Sequence, residues 1–336
     1  MTIRIAAASL LALLLAAPAQ GQAPWLTADV RTAHDSQDRT ALHAHGQYGR
    51  YLTRLLTVAL DLTGTHIAAP GPGTADAAAG ATATFALPAA RLGIEAAAHA
   101  LAATETVTPV YRLAASLGLG SGFGLRGRIV RNRYTRTVAS LDTLVMVGTV
   151  ELSLDRSGAP GWAGEALVRR ESYGDDNPVR TVYAWVLAPI SRSAGHSLRA
   201  GYAAAWQDAP RSRWTPDPGA QPGQGQQLRG RYAPYYTPHD VVTHSVLANA
   251  ALAHGAAWFI ADGSYGVRAT ETAPVLVRSG AVTELRFYHR SFTPWRAALT
   301  FATPLDERTA LTVTGEYSRT AFYRAGELRV RVARAL

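Results

Sequence analysis

The chain has 336 residues, with 33 basic against 24 acidic side chains for a formal net charge of +9, and every basic residue is Arg. It has no Cys, which removes both a disulfide framework and a lipid-anchored cysteine. Hydrophobic residues make up 48% of it, yet mean hydropathy is near zero and no apolar run of 18 residues follows the first segment, which excludes a bundle of transmembrane helices.

The predicted elements begin with a leader. Arg4 precedes an apolar run over residues 5–17, then Pro18, Ala19, Gln20 and Gly21, the three regions of a secretory signal peptide. Ala19 and Gly21 are the small residues a signal peptidase requires, so a signal peptide over 1–21 and one mature domain over 22–336 are expected. His34, His43 and His45 follow; the last two share a strand face at spacing i, i+2. No Cys or carboxylate spacing completes a ligand set, so neither metal nor cofactor is expected.

From there period two recurs, because successive strand side chains point to opposite faces. Alternation runs over residues 56–62, and Pro70, Gly71 and Pro72 mark 67–80 as a long loop. The Ala-rich stretch 96–103 fits helix or strand and reads as a strand in this context. Alternation continues over 125–136 and is sharpest over 149–155, where Thr149, Glu151, Ser153 and Asp155 oppose Val150, Leu152 and Leu154. It resumes over 162–171 and 198–206. Turn signals over 156–161, 174–178 and 193–195 divide these runs.

A second long loop, 208–234, carries Pro210, Pro216, Pro218 and Pro222 with repeated Gly and Gln. Then come alternating runs over 246–252, 258–270, 284–290, 295–301 and 311–318. A turn at 304–307 precedes the last of these, and a final strand covers 327–336.

These periods predict an all-β chain, specifically a transmembrane antiparallel up-and-down β-barrel. A spanning strand takes about 9–11 residues plus its connection, so roughly 315 mature residues accommodate about 14 to 18 strands, and sixteen is the expectation. Trp162, Trp206, Trp295, Tyr202, Phe259 and Phe301 fall on apolar faces, as interfacial girdles require. Alternation assigns Arg126, Arg128, Glu151, Asp155, Glu165, Arg169 and Glu171 to the lumen, and after them Asp262, Arg268, Glu284, Arg286, Tyr288, Arg290, Arg296 and Glu316. Such a lining stabilises any water-filled wall by cross-strand ion pairs, and it also offers exchangeable hydrogen bonds to sugar hydroxyls.

Arg231-Tyr232-Ala233-Pro234-Tyr235-Tyr236-Thr237-Pro238-His239-Asp240, followed by an alternating strand, resembles the Tyr-aromatic-Ser-Pro motif of outer-membrane polysaccharide-export barrels. These include the C-terminal barrel of cellulose synthase operon protein C, the poly-N-acetylglucosamine export porin and the YaiO-type barrels. Thr237 stands where the family usually has Ser. Arg131-Asn132-Arg133-Tyr134-Thr135 with Ser140-Leu141-Asp142, and later Glu316-Tyr317-Ser318 and Phe322-Tyr323-Arg324, extend the resemblance over 126–336. Those relatives often carry helical repeats ahead of the barrel, and none is readable here.

The resemblance implies a non-enzymatic channel in a bacterial outer membrane that exports a cellulose-like or related exopolysaccharide. Its partners would be outer-membrane lipid, the polymer and a separate periplasmic scaffold, with no nucleic acid. Tyr235, Tyr236, Thr237 and Pro238 would form a rim or constriction that stacks on sugar rings, or else a turn leading into a strand at the membrane interface. The Arg excess reflects either a GC-rich genome or an anion-preferring diffusion porin. A lipid- or glycan-modifying barrel enzyme is the reading from another class. It would need Ser, His and an acid at one height, whereas His244 and Ser245, as strand neighbours, face opposite ways.

Overall fold

The computed structural model describes residues 23–71, 73–103, 106–156, 161–193, 195–216, 230–279, 282–321 and 323–336. The expected signal peptide, 1–21, lies outside them, as do parts of the predicted turn 156–161 and loop 208–234.

The described residues form strands β1 (Trp25–Asp35), β2 (Thr40–Tyr51), β3 (Leu56–Ala68), β4 (Gly73–Leu87), β5 (Leu92–Ala103), β6 (Thr106–Gly120) and β7 (Phe123–Arg133). One helical turn, α1 (Ala139–Asp142), leads into β8 (Met146–Arg156), β9 (Ala163–Ser172), β10 (Val179–Arg192) and β11 (His196–Asp208). A small hairpin, β12 (Trp214–Pro216) and β13 (Gly230–Tyr232), precedes β14 (Val241–His254), β15 (Ala257–Ser279) and β16 (Val282–Ser291). The chain ends with β17 (Trp295–Pro304), β18 (Thr309–Arg319) and β19 (Arg324–Ala335).

Each strand from β1 to β11 pairs antiparallel with the next, β11 pairs with β14 and β14 with β15. β15 then pairs with β17, β17 with β18, β18 with β19, and β19 closes on β1 along its whole length. The result is a closed antiparallel barrel of sixteen wall strands, the expected number. Closure leaves no strand edge, the condition for a sheet in hydrocarbon.

β16 is not part of this wall. Its ladder runs only along residues 270–279 of β15, so the two form a ribbon standing beyond the rim. An even strand count returns both termini to one end of the barrel, here called the terminal end. The segments between β7 and β8, β9 and β10, and β11 and β14 lie at the opposite, loop end with the ribbon tip.

The registers sort side chains into two faces. One carries Asp29, His45, Asp61, His99, Arg128, Glu151, Arg169 and Asp262. The other carries exposed Leu26, Leu42, Leu62, Leu113, Val150, Val168, Val182, Val246, Leu299 and Val330. A belt of large exposed aliphatics around the whole circumference suits lipid and not water. Phe85, Phe123, Trp162, Phe259 and Phe301 rim this belt toward the terminal end, and Trp206, Tyr265, Trp295 and Tyr317 toward the loop end. Several are fixed by ring contacts: Phe259 lies 5.1 Å from Phe301, Trp295 lies 5.0 Å from Tyr317, and the Arg156 guanidinium sits 4.1 Å from the Trp162 ring.

Three sequence expectations change. The loop expected over 67–80 is mostly wall, because β3 runs to Ala68 and β4 starts at Gly73. Its outer face is Ala75, Ala77, Ala79, Ala81 and Ala83, too weakly apolar for the alternation to register. The strand expected over 125–136 ends at Arg133, where the chain turns inward. The strand expected over 258–270 is the lower part of a 23-residue strand, about twice what a bilayer needs. The ambiguous stretch 96–103 is part of β5.

Candidate functional site

Below the loops the lumen wall is a set of ionic ladders. Glu151 on β8 accepts from Arg128 on β7 at 2.9 Å and from Arg169 on β9 at 2.6 Å. Arg296 binds Glu316 through two nitrogens at 2.8 and 2.7 Å, Arg112 pairs with Glu95 at 2.6 Å, and Arg31 pairs with Glu327 at 2.6 Å. The Trp185 indole donates to Glu165 at 3.3 Å, and Asn249 to Asp262 at 2.6 Å. Asp61 is the most enclosed acid of this wall, accepting from Gln47 and Thr82 at 2.7 Å each, with His45 and His99 each 3.4 Å away. Most other wall side chains are only half-buried, as the lining of a water-holding tube should be.

The loop end is built differently. The segment after β7 and the one before β14 turn into the lumen and meet around Tyr134, Val145, Val147, Val179, Ala209 and Tyr235, a buried apolar cluster inside the barrel. Tyr235 is 1% exposed; its ring stacks on Tyr173 with centroids 3.6 Å apart and planes 4° apart, and Tyr134 meets both rings edge-on. Stacking of this kind adds to the burial of the rings themselves.

Polar groups finish the packing. The Tyr235 hydroxyl donates to Asp175 at 2.7 Å and accepts from the Asn177 amide at 3.1 Å. Asn177, itself 1% exposed, also donates to the Arg211 carbonyl at 2.9 Å and accepts from the Arg211 N–H at 2.8 Å. Arg213 pairs with Asp175, and its backbone N–H donates to the buried Thr237 hydroxyl at 2.9 Å. The Tyr236 N–H donates to the Tyr134 hydroxyl at 3.1 Å, and Thr137 donates to the Pro234 carbonyl. Ties to the wall span the lumen: Arg133 pairs with Asp76 three strands away, and Arg39 reaches the Thr135 carbonyl.

Burial sets the ionisation of this plug. It pushes Tyr134 up to about 12, and it also raises Tyr173, Tyr232 and Tyr236, so these phenols stay neutral and able to donate. Burial disfavours the Arg136 cation, but Glu171 and the surrounding tyrosines outweigh it and the guanidinium is held more firmly charged than usual. For Asp175 burial acts upward, and the hydrogen bonds from Tyr235 and Arg213 outweigh it, leaving the carboxyl below its ordinary value.

Between plug and wall lies a cavity of about 250 Å3. Tyr236 and Pro238 bound it with Tyr134, Arg136, Glu171, Tyr173, Gln207 and Tyr323.

The sequence-assigned lumen residues separate into three groups. Arg126, Arg128, Glu151, Asp155, Glu165, Arg169, Glu171, Asp262, Arg296 and Glu316 lie on the inner face of the wall. Glu284, Arg286, Tyr288 and Arg290 share that face but belong to β16; Arg290 pairs with Glu271 at the ribbon's base, while Glu284 and Arg286 pair with each other in the open at 2.9 Å, outside the lumen. Arg268 is a correction. A bulge between His244 and Ser245 on one strand and Arg268 and Gly266 on the other leaves Val267 unpaired and reverses the alternation, so Arg268 faces outward beside His244.

Tyr235, Tyr236, Thr237 and Pro238 lie at the heart of the plug, a constriction in place of a turn at the membrane interface, with Tyr236 and Pro238 bounding the cavity. The ring of Tyr235 is already stacked on Tyr173 and closed to a ligand, and the segment lies inside the barrel away from the lipid interface. Tyr173, Asp175, Asn177 and Arg213 were missed; only the polar turn 174–178 signalled them. His244 and Ser245 lie on opposite faces of β14, and Tyr202 holds the imidazole on the outside. Among the described residues no group of three His, Asp or Glu side chains is placed to hold a metal.

No family model matches the chain, and no curated protein does. Among solved structures it is similar to a bacterial polysaccharide outer membrane secretin, at 10% identity and a TM-score of 0.66 over 94% of this chain and 99% of that one. It also aligns with OccK3 (OpdO) of Pseudomonas aeruginosa over 94% and 95% of the two chains, at 10% identity and a TM-score of 0.45. OccAB4 of Acinetobacter baumannii aligns over 94% and 98%, at 9% identity and a TM-score of 0.43. At 10% identity the first likeness shows the barrel fold and no more.

Proposed function

We propose that this chain is a non-enzymatic channel of a bacterial outer membrane, that it carries an uncharged or weakly charged exopolysaccharide outward, and that its loop end is the extracellular mouth, closed at rest by the plug. The carrying observation is the combination of a hydrated lumen whose charges are paired with one another and a mouth crossed by loops folded around Tyr235. One-to-one pairs such as Arg296–Glu316 and Arg112–Glu95 present no field of one sign, so a polymer rich in hydroxyls can exchange hydrogen bonds along the wall without one deep trap. The similar barrel of the polysaccharide outer membrane secretin supports a glycan as cargo. So does the resemblance of the plug segment to the export motif.

Deleting the gene should remove the polymer from the cell surface and leave it in the periplasm. Normal surface polymer in the deletion strain would overturn the reading.

A diffusion porin is favoured by one observation: Arg126 and Arg331 on the inner face make no ion pair among the described residues. An open, anion-preferring conductance of the unaltered protein in planar bilayers would select it. Stepwise opening only after the plug is disrupted selects the gated export channel.

A further inference from the structure

The cavity between plug and wall has the chemistry of a ligand site and is used by nothing described above. Its volume of about 250 Å3 equals that of about eight waters, comparable to a single hexose and far short of a polymer segment. Its walls come from opposite sides of the barrel: Glu171 from β9, Gln207 from β11 and Tyr323 from the turn before β19, roofed by Tyr134, Arg136 and Tyr236 of the inturned loops.

The lining pairs ring faces with forked polar groups. Aromatic faces suit the C–H side of a pyranose, while a guanidinium, a carboxylate and an amide suit vicinal hydroxyls that both donate and accept. Arg136 lines this enclosure, and Glu171 is the strongest opposite charge acting on it. A uronate would be drawn to Arg136 but placed against Glu171, and an amino sugar would meet the reverse, so one cation with one anion favours a sugar without net charge.

We propose that this cavity is a subsite that holds one neutral hexose unit of the exported glycan, with Arg136 and Glu171 reading its hydroxyls and the surrounding tyrosines stacking on its ring. The inference rests on the glycan-channel reading for its biological ligand, though the binding itself is testable without it.

The experiment uses the purified full-length protein in detergent, with saturation-transfer NMR titrations of cellobiose, glucuronate and glucosamine as probes. Cellobiose is expected to bind the unaltered chain more tightly than either charged sugar. Glu171→Gln should reverse the order toward glucuronate and Arg136→Gln toward glucosamine, each weakening cellobiose about tenfold, as losing a hydrogen bond to a charged group implies. Arg54→Gln, in the exposed turn between β2 and β3, should leave all three unchanged. A barrel that keeps its heat-modifiable mobility on gels but binds no cellobiose overturns the subsite. So does binding that Arg136→Gln and Glu171→Gln leave unaltered, which would put the sugar elsewhere in the lumen. If deletion of the gene abolishes surface polymer while cellobiose fails to bind, only the subsite falls. If cellobiose binds as expected and surface polymer is unaffected by deletion, export falls and the sugar site stands.

Discussion

The wall and the plug are held by different physics although one strand leads directly into the other. In the wall the backbone is paired strand to strand except at bulges such as that at Val267, most large apolar side chains face outward, and charged pairs such as Arg296 and Glu316 face the interior and stay 48% and 30% exposed. Such pairs contribute little each, about 0–1 kcal/mol. The plug has almost no ladder beyond the three-residue pairing of β12 with β13. It behaves like the core of a small water-soluble protein, with Tyr235, Asn177 and Thr237 all but excluded from solvent. A closed sheet can therefore be stable without a core, and on the gated-channel reading the mouth carries its own small core that melts while the sheet remains.

The comparison breaks most completely at Tyr235. Tyr235→Ala removes a fully buried ring, its stack on Tyr173 and its hydrogen bond to Asp175. A truncation of this kind costs about 3–5 kcal/mol, enough to release the loops. Planar-bilayer recordings should show a large, persistently open conductance, with the gel mobility of the folded barrel unaltered. A closed pore in this variant would mean that the plug is held by the wall ties at Arg133 and Arg39 instead.

Asn177→Ala should act in the same direction with a smaller effect. It removes the hydrogen bonds to the Arg211 N–H and carbonyl, which are only part-buried, a cost of about 0.5–1.5 kcal/mol per bond. Flickering openings, and faster protease cleavage within the segment 209–240, are the expected readouts; Asn177→Asp should retain the bond to the Arg211 N–H and show less of both.

Acid should loosen the plug in two steps. Burial holds His239 below its usual value, and its Nε2 lies buried without a hydrogen-bond partner while its ring meets Phe287 of the ribbon at 5.3 Å. A histidine lowered on folding favours its neutral form, so this contribution is complete above the unfolded value of about 6.5 and is lost as pH falls from there toward the lower folded value. Asp175, also lowered, contributes above its ordinary value of about 3.9 and loses that only as pH falls below it. Open probability should therefore rise modestly below about pH 6.5 and steeply below about pH 4. His239→Gln should abolish the first step and leave the second.

How much of this was legible in the sequence follows from the same contrast. The wall is periodic, and one repeated rule, apolar outward and polar inward, carries the all-β barrel and the inner placement of Arg128, Glu151, Arg169 and Arg296, while the count of sixteen came from chain length. Where the outer face is only alanine, as in β4, the rule loses its contrast and a strand reads as a loop. Height escapes it altogether, which is why Glu284 and Arg286 of the ribbon look the same as lumen residues. The plug has no period: Tyr235 is joined to Tyr173 and Asp175 across about sixty residues by packing that no local pattern announces. What could be read was that a Tyr-Tyr-Thr-Pro segment just after a long loop resembled an export motif; its burial against Tyr173 could not be read.

The smallest effect tests the rule's one failure in the wall. Arg268 and Arg296 look equivalent in sequence, each between apolar neighbours in an alternating run, yet the bulge at Val267 sends the first outward while the second stays inside with Glu316. Neither substitution to Gln should change stability by more than about 1 kcal/mol, since both side chains are exposed. With the plug opened by Tyr235→Ala, Arg296→Gln leaves Glu316 uncompensated in the lumen and should move the reversal potential in a salt gradient by a few millivolts toward cation preference. Arg268→Gln in the same background should not move it at all, because its charge lies across a wall of low dielectric from the conducting water. A shift of equal size from Arg268 would mean that the bulge does not form and that simple alternation was right along the whole of β15.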